Sequence, residues 1–220
     1  MSDTDSFIDE VSEEVRRDRL TGYLRRYGWI GALGVVLIVG GAAVNEILKA
    51  SQRAEAEALG DSLLGALQSD AASDRRSALE GISVEGDAAD VVALLTAAER
   101  LADNEPEAAA QLLRPLAQDT DAALVYSDLA ALKLVLMGED ILDATTRDQL
   151  LDRLARPGAP YEALAREQQV LVLLERGREG DALDAAGALL MEAGLTPGLR
   201  QRLVQLIIAL DGELPVAGAG

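Results

Sequence analysis

The sequence contains no cysteine and no histidine, and it has two lysines, Lys49 and Lys133, against 18 arginines. Thiol nucleophiles, disulfides, imidazole acid–base chemistry and the usual zinc sites are excluded together. Aromatic residues are also scarce: Phe7, Tyr23, Tyr27, Trp29, Tyr126 and Tyr161 complete the set, and four of them lie within the first 29 residues. A core beyond that point has to be built from Leu, Ala and Val. Such a core suits closely packed helices, because Ala and Leu are strong helix formers and Ala lets backbones approach. A β-sandwich would call for alternating Val, Ile, Thr and aromatic residues. The expected class is all-α. Any chemistry would have to run on carboxylates, hydroxyls, Lys or Arg. There is no GxGxxG or GKS/T phosphate loop, no HExxH and no Ser-His-Asp set. The expectation is therefore a protein that is not an enzyme, with no catalytic, cofactor-binding or metal-binding residues and no small-molecule substrate. Glu139/Asp140 and Glu179/Asp181 are the carboxylate pairs an enzyme would use. Both fall at helix turns, where capping and the helix dipole already favour acids.

What is abundant is negative charge. The 220 residues carry a formal charge of −18, unevenly spread. Residues 1–28 hold seven acids and five arginines, whereas residues 46–220 hold 31 acids and 15 bases. A field of that sign repels phosphate backbones, which argues against nucleic acid as a partner. It also keeps a domain soluble.

One run stands out against this polar background. From Tyr27 to Asn45 there are 19 residues without a charge. As a helix at 1.5 Å per residue they would reach about 28 Å, close to the ~30 Å hydrocarbon core of a bilayer. Gly41-Ala42-Ala43 offers small residues at which an export signal could be cut. A signal peptide, however, has a short basic lead and an apolar run of ~7–15 residues. An acidic stub precedes this run, and helical patterning continues past it through Glu46, Ile47 and Leu48. The expected reading is an uncleaved anchor in the lipid bilayer at 29–47. Arg16, Arg17, Arg19, Arg25 and Arg26 precede the span closely, while Lys49 and Arg53 follow it. The positive-inside rule then puts residues 1–28 in the cytoplasm and the large domain outside. Tyr23, Tyr27 and Trp29 stand where an aromatic belt marks the cytoplasmic interface. Gly31, Gly34 and Gly41 share one helical face, where small residues would let a partner helix pack closely. Frequent glycine in membrane helices explains the same pattern without a partner. In the stub, Phe7, Ile8, Val11 and Val15, then Leu20, Tyr23, Leu24 and Tyr27, recur at helical spacing, which predicts an amphipathic helix against the leaflet or a membrane partner.

Beyond the span, apolar spacing and breakers predict helices over 71–80, 87–103, 106–118, 121–137, 145–155, 160–176, 180–193 and 197–210. The breakers include Asn104-Glu105-Pro106, Gly138, Arg156-Pro157-Gly158, Gly177, Gly194 and Thr196-Pro197. The segments pair at intervals of roughly 34 and about 40 residues, near the tetratricopeptide period. NEPEAAAQLL at 104–113 and REGDALDAAGALL at 178–190 resemble each other as turn plus second helix. Both place alanine early, at 108–110 and at 182, 185 and 186. The predicted organisation is a stub over 1–28, a single transmembrane helix over 29–47, a tetratricopeptide-like α-solenoid of helical pairs over 48–215 and a tail over 216–220.

FIDEVSEEVRRDRLTGYLRRYGW, the span after it, DAALVYSDLAALKLVL, YEALAREQQVLVLLERGREGDALDAA and TPGLRQRLVQLI occur in an order that resembles one known family. It is the tetratricopeptide-like ancillary subunit of the bacterial Sec translocon, in its alphaproteobacterial branch. The resemblance implies an inner-membrane protein beside the translocon, whose periplasmic domain contacts chaperones receiving emerging proteins. It carries over no catalytic residues. The residues between Gly138 and Thr145 depart from an even repeat. The alternative is a structural or assembly subunit of another inner-membrane complex, respiratory or envelope.

Overall fold

The structure is a computed structural model that describes the backbone of residues 3–215 and the side chains of residues 29–30, 33–34 and 37–215. Every regular element among the described residues is an α-helix: α1 (Asp3–Leu67), α2 (Ala72–Glu80), α3 (Asp87–Ala102), α4 (Pro106–Gln118), α5 (Leu124–Leu136), α6 (Ala144–Leu154), α7 (Glu162–Glu175), α8 (Glu179–Leu190) and α9 (Pro197–Ala209). The all-α expectation holds. The chain divides into two compact units, Met1–Asp61 and Ser62–Gly220. The first unit is helix α1, whose last residues, 62–67, belong to the second.

The helix starts and stops follow from local chemistry. Prolines occupy the first position of α4 and α9, where the missing N–H would be unpaired in any case. Asp143 and Thr196 cap α6 and α9 by accepting from the N–H of Thr146 and Leu199. Helices α3, α7 and α9 end on residues with positive φ: Asn104 (60°), Gly177 (70°) and Asp211 (53°). Each closes its helix with the same two bonds. The N–H of Glu105, Arg178 or Gly212 reaches back to Arg100, Leu173 or Ile207 at 2.8, 2.9 and 2.9 Å. The N–H of the positive-φ residue itself reaches Leu101, Leu174 or Ile208. This is the Schellman closure, and Gly177 adopts it without the steric cost a side chain incurs. Two boundaries depart from expectation by three residues: α8 ends at Leu190 rather than near Ala193, and the start of α5 is shifted. Helix α5 begins at Leu124 rather than near Asp121, because the Asp119 carboxylate accepts from the N–H of Asp121 (2.8 Å) and Ala122 (3.3 Å). That side-chain turn competes with the first helical turn.

In the second unit, helices pack chiefly on their chain neighbours, most extensively α3 on α4, α4 on α5 and α7 on α8, and α3 also touches α5. The second helices of three successive hairpins share one burial register. Positions four, eight and eleven are buried in all three: Ala109, Leu113 and Leu116 in α4, Arg147, Leu151 and Leu154 in α6, and Ala182, Ala186 and Leu189 in α8. The alanines expected to permit close packing do so in α4 and α8, where Ala109, Ala110, Ala182 and Ala186 are fully buried. In α6 the equivalent of Ala109 is an arginine. Two apolar clusters result. One joins α3 to α7 around Leu113, Leu134, Leu151 and Leu154. The other joins α7 to α9 around Val170, Leu189, Leu199, Leu203 and Ile207. Helix α7 serves both, turning Ala165 and Val172 to the first and Val170 to the second.

Candidate interaction surfaces

Helix α1 exposes Trp29, Ile30, Leu33, Leu37, Ile38, Val39, Val44, Ile47 and Leu48, with Trp29 64% and Leu37 67% accessible. Successive residues of a helix point about 100° apart, so Leu37, Ile38 and Val39 alone face three directions. Gly34 and Gly41 lie in the same stretch, and a Cβ added at either meets nothing within 4 Å. Among the described residues no helix is long and apolar enough to cross a membrane. The side chains of Gly31, Tyr23 and Tyr27 lie outside the described residues, as do those of Arg16, Arg17, Arg19, Arg25 and Arg26. Of the expected interface and packing residues, Trp29, Gly34 and Gly41 are therefore the ones whose surroundings are seen.

In the second unit the arginines are tied down. Most of them link separate helices or turns. Arg75 pairs with Glu99 at 2.8 Å, Arg76 with Asp103 at 2.7 Å, and Arg100 with Glu80 and Glu105 at 2.5 and 2.9 Å. Arg176 pairs with Asp148 at 2.7 Å, Arg202 with Glu167 at 2.7 Å, and Arg166 with Glu192. Arg114 and Arg200 donate to the carbonyls of Ile141 and Leu190. Arg147 is 5% exposed and holds Glu175 with two bonds of 2.6 and 3.0 Å, with Glu139 3.8 Å away. Hydrogen bonding to Arg147 holds the Glu175 carboxyl below the usual carboxylate range. Asp128, 3% exposed, is the opposite case. Burial pushes its carboxyl up, and Arg153 opposes that with Nη2 3.4 Å from Oδ1. Arg153 also donates to the Ala117 carbonyl at 2.8 Å, which ties α4 to α6. Glu139 and Asp181, two of the acids an enzyme would have used, are each engaged by an arginine.

Clefts open between these helices, and two of them bear on the argument. One, of about 430 Å3, lies among α6, α7 and α8. Leu151, Val172 and Leu173 form its apolar part, and the rim carries Asp148–Arg176 and Arg166 with its partners Glu162 and Glu192. Arg166, Gln169, Leu173 and Arg176 fall at helical spacing along one face of α7. That spacing is visible in the sequence, but nothing marked it as the wall of a cleft until α6 and α8 were in place. The other, of about 370 Å3, lies between α3 and α4. Among the described residues no group of three acids is placed to hold a metal ion. Compared with known proteins, the chain matches no family model, no curated protein and no solved structure.

Proposed function

We propose that this protein is a membrane-anchored, tetratricopeptide-like interaction scaffold, an ancillary subunit of the Sec translocon that links it to periplasmic chaperones. Its residues 1–28 lie in the cytoplasm, residues 29–47 span the inner membrane and the helical domain lies in the periplasm. The observation that carries this reading is the apolar surface of α1 between Trp29 and Leu48, which no part of the chain covers among the described residues. A helix apolar on all sides needs an apolar surrounding. The shared burial register of α4, α6 and α8 supports a solenoid of stacked hairpins, a form whose surfaces bind other proteins. Crosslinking in cells, followed by purification in mild detergent and mass spectrometry, tests the reading. Recovery of translocon subunits and periplasmic chaperones is expected, and recovery of neither defeats it. N-terminal sequencing of membrane-extracted protein tests the anchor separately, because a start near Val44 would mean that the span is removed.

A second reading is a structural or assembly subunit of another inner-membrane complex. It is favoured by the open space around Gly34 and Gly41, since nothing among the described residues requires glycine at either position. Close packing of a partner helix would require it.

A further inference from the structure

The α3–α4 groove differs from the other acid-bearing surfaces of the domain. Its apolar wall is Ala93, Leu112, Pro115 and Leu116, and Asp90 and Asp119 line the same groove. Elsewhere the part-buried acids face arginines: Glu99 faces Arg75, Asp103 faces Arg76, and Glu167 faces Arg202. Asp90, part-buried, and Asp119, exposed at the groove's edge, have no cation partner among the described residues. The Asp119 Oδ1 is occupied by two backbone N–H groups, which leaves Oδ2 unclaimed, and the Asp90 carboxylate accepts no hydrogen bond among the described residues. Burial, followed by the charges of Asp119 and Asp87, pushes the Asp90 carboxyl above its ordinary value. The free protein thus holds crowded negative charge beside an apolar wall, an arrangement that a cation would relieve.

Chain-wide electrostatics narrow the choice of occupant. In the second unit every arginine except Arg156 is committed to an acid or a carbonyl of its own chain. The domain has little free positive charge with which to neutralise this groove itself, and the complement has to arrive from outside. An apolar wall beside two carboxylates fits a long cationic side chain next to an apolar one, the aliphatic stem of the first also lying on the wall.

We propose that the α3–α4 groove is the docking site for a lysine- or arginine-bearing segment of a partner protein. The cation sits between Asp90 and Asp119, and an adjoining apolar side chain packs on Leu112, Pro115 and Leu116. This rests on the scaffold reading and names the chemistry of the partner.

The test uses the full chain in mild detergent and a fluorescein-labelled peptide of alternating leucine and lysine, with a leucine–glutamate peptide as the contrast. Fluorescence anisotropy should show saturable binding of the first peptide alone. Asp90→Asn, a change at a side chain with no hydrogen bond to lose, should weaken it at least tenfold, and Asp90→Asn/Asp119→Asn should abolish it. Asp184→Asn on α8 should leave it unchanged. Equal weakening by Asp184→Asn would overturn the proposal, since attraction would then come from net charge alone. A peptide of residues 16–26, if it binds more tightly than the leucine–lysine probe with the same Asp90 dependence, would also overturn it, in favour of a second copy of this chain. The scaffold reading can fail separately. A chain that binds the probe in this groove yet recovers no translocon subunit or chaperone from cells loses that reading and keeps the groove.

Discussion

Helices α1 and α4 both draw on small and branched apolar residues, but they place them differently. In α4 the buried residues Ala109, Ala110, Leu113, Leu116 and Ala117 form one stripe, and Glu107, Gln111 and Arg114 lie off it. In the stretch of α1 from Trp29 to Leu48 the large apolar side chains are exposed and point in several directions. A striped helix finds its partner in the same chain, because one face turned inward removes its apolar area from water. A helix without a polar face cannot do this by docking on one neighbour. What separates the two regions is therefore the arrangement of apolar residues around the axis.

The largest expected effect tests that contrast directly. Leu113 is fully buried, so Leu113→Ala should destabilise the helical domain by about 2–5 kcal/mol through lost burial and the cavity left behind. Leu37→Ala removes the same atoms from a residue that is 67% accessible. It should leave the domain's denaturation midpoint within about 0.5 kcal/mol. Denaturant titration of both variants in detergent, followed by circular dichroism, measures this. Comparable losses would mean that the α1 segment is packed into the domain's core after all.

The next effect sharpens a contrast among the second helices. Arg147 stands where α4 and α8 place alanine, and it is more deeply buried than its partner Glu175. Glu175→Gln should cost about 1–2 kcal/mol, because it strips a charged partner from a buried guanidinium, though Glu175 itself is half exposed. Arg147→Met should be milder, within about 1 kcal/mol, since an apolar chain of similar length can fill the same space. The pH dependences of the two ion pairs, Arg147–Glu175 and Arg153–Asp128, run in opposite directions. The Glu175 carboxyl is lowered in the folded state, so its contribution is complete above the ordinary carboxylate range and is lost as pH falls through its lowered value. The Asp128 carboxyl is raised by burial, so its contribution is complete below the ordinary range and is lost as pH rises through its raised value. Relative to wild type, Glu175→Gln should lose less stability on acidification. Asp128→Asn should lose less on the alkaline side of its titration. Urea midpoints measured across the acid range decide both.

Much of this contrast is legible in the sequence, and the reasons are local. Pro106, Thr196-Pro197, Asn104 and Gly177 carry backbone preferences that need no tertiary context, so the boundaries of α4 and α9 and the ends of α3 and α7 fall where expected. The start of α5 was less legible because the Asp119 turn depends on a side chain competing for backbone N–H groups. The early alanines of α4 and α8 announced close packing. Arg147 in the equivalent place of α6 carries no such signal, since its burial depends on Glu175, 28 residues later. The two clefts were illegible for the same reason. A cleft wall is a property of three helices together, and spacing along one helix does not reveal which face its neighbours leave open.

Smaller effects probe the ends and the glycines. Thr196→Ala should cost about 1 kcal/mol by removing the α9 cap, read as a lower thermal midpoint of the domain. Gly34→Leu/Gly41→Leu should have the smallest effect on stability and the most informative effect on association. Glycine is disfavoured in a helix interior by roughly 1 kcal/mol relative to alanine. Neither position has an atom within 4 Å to obstruct a Cβ. Helix content should therefore hold or rise, and the domain's denaturation midpoint should not move. If the glycine face meets a partner helix, the leucines will push the two backbones apart and co-purification of the membrane complex will be lost. Unchanged helix content with lost co-purification assigns the face to a partner. Unchanged co-purification counts against docking at this face.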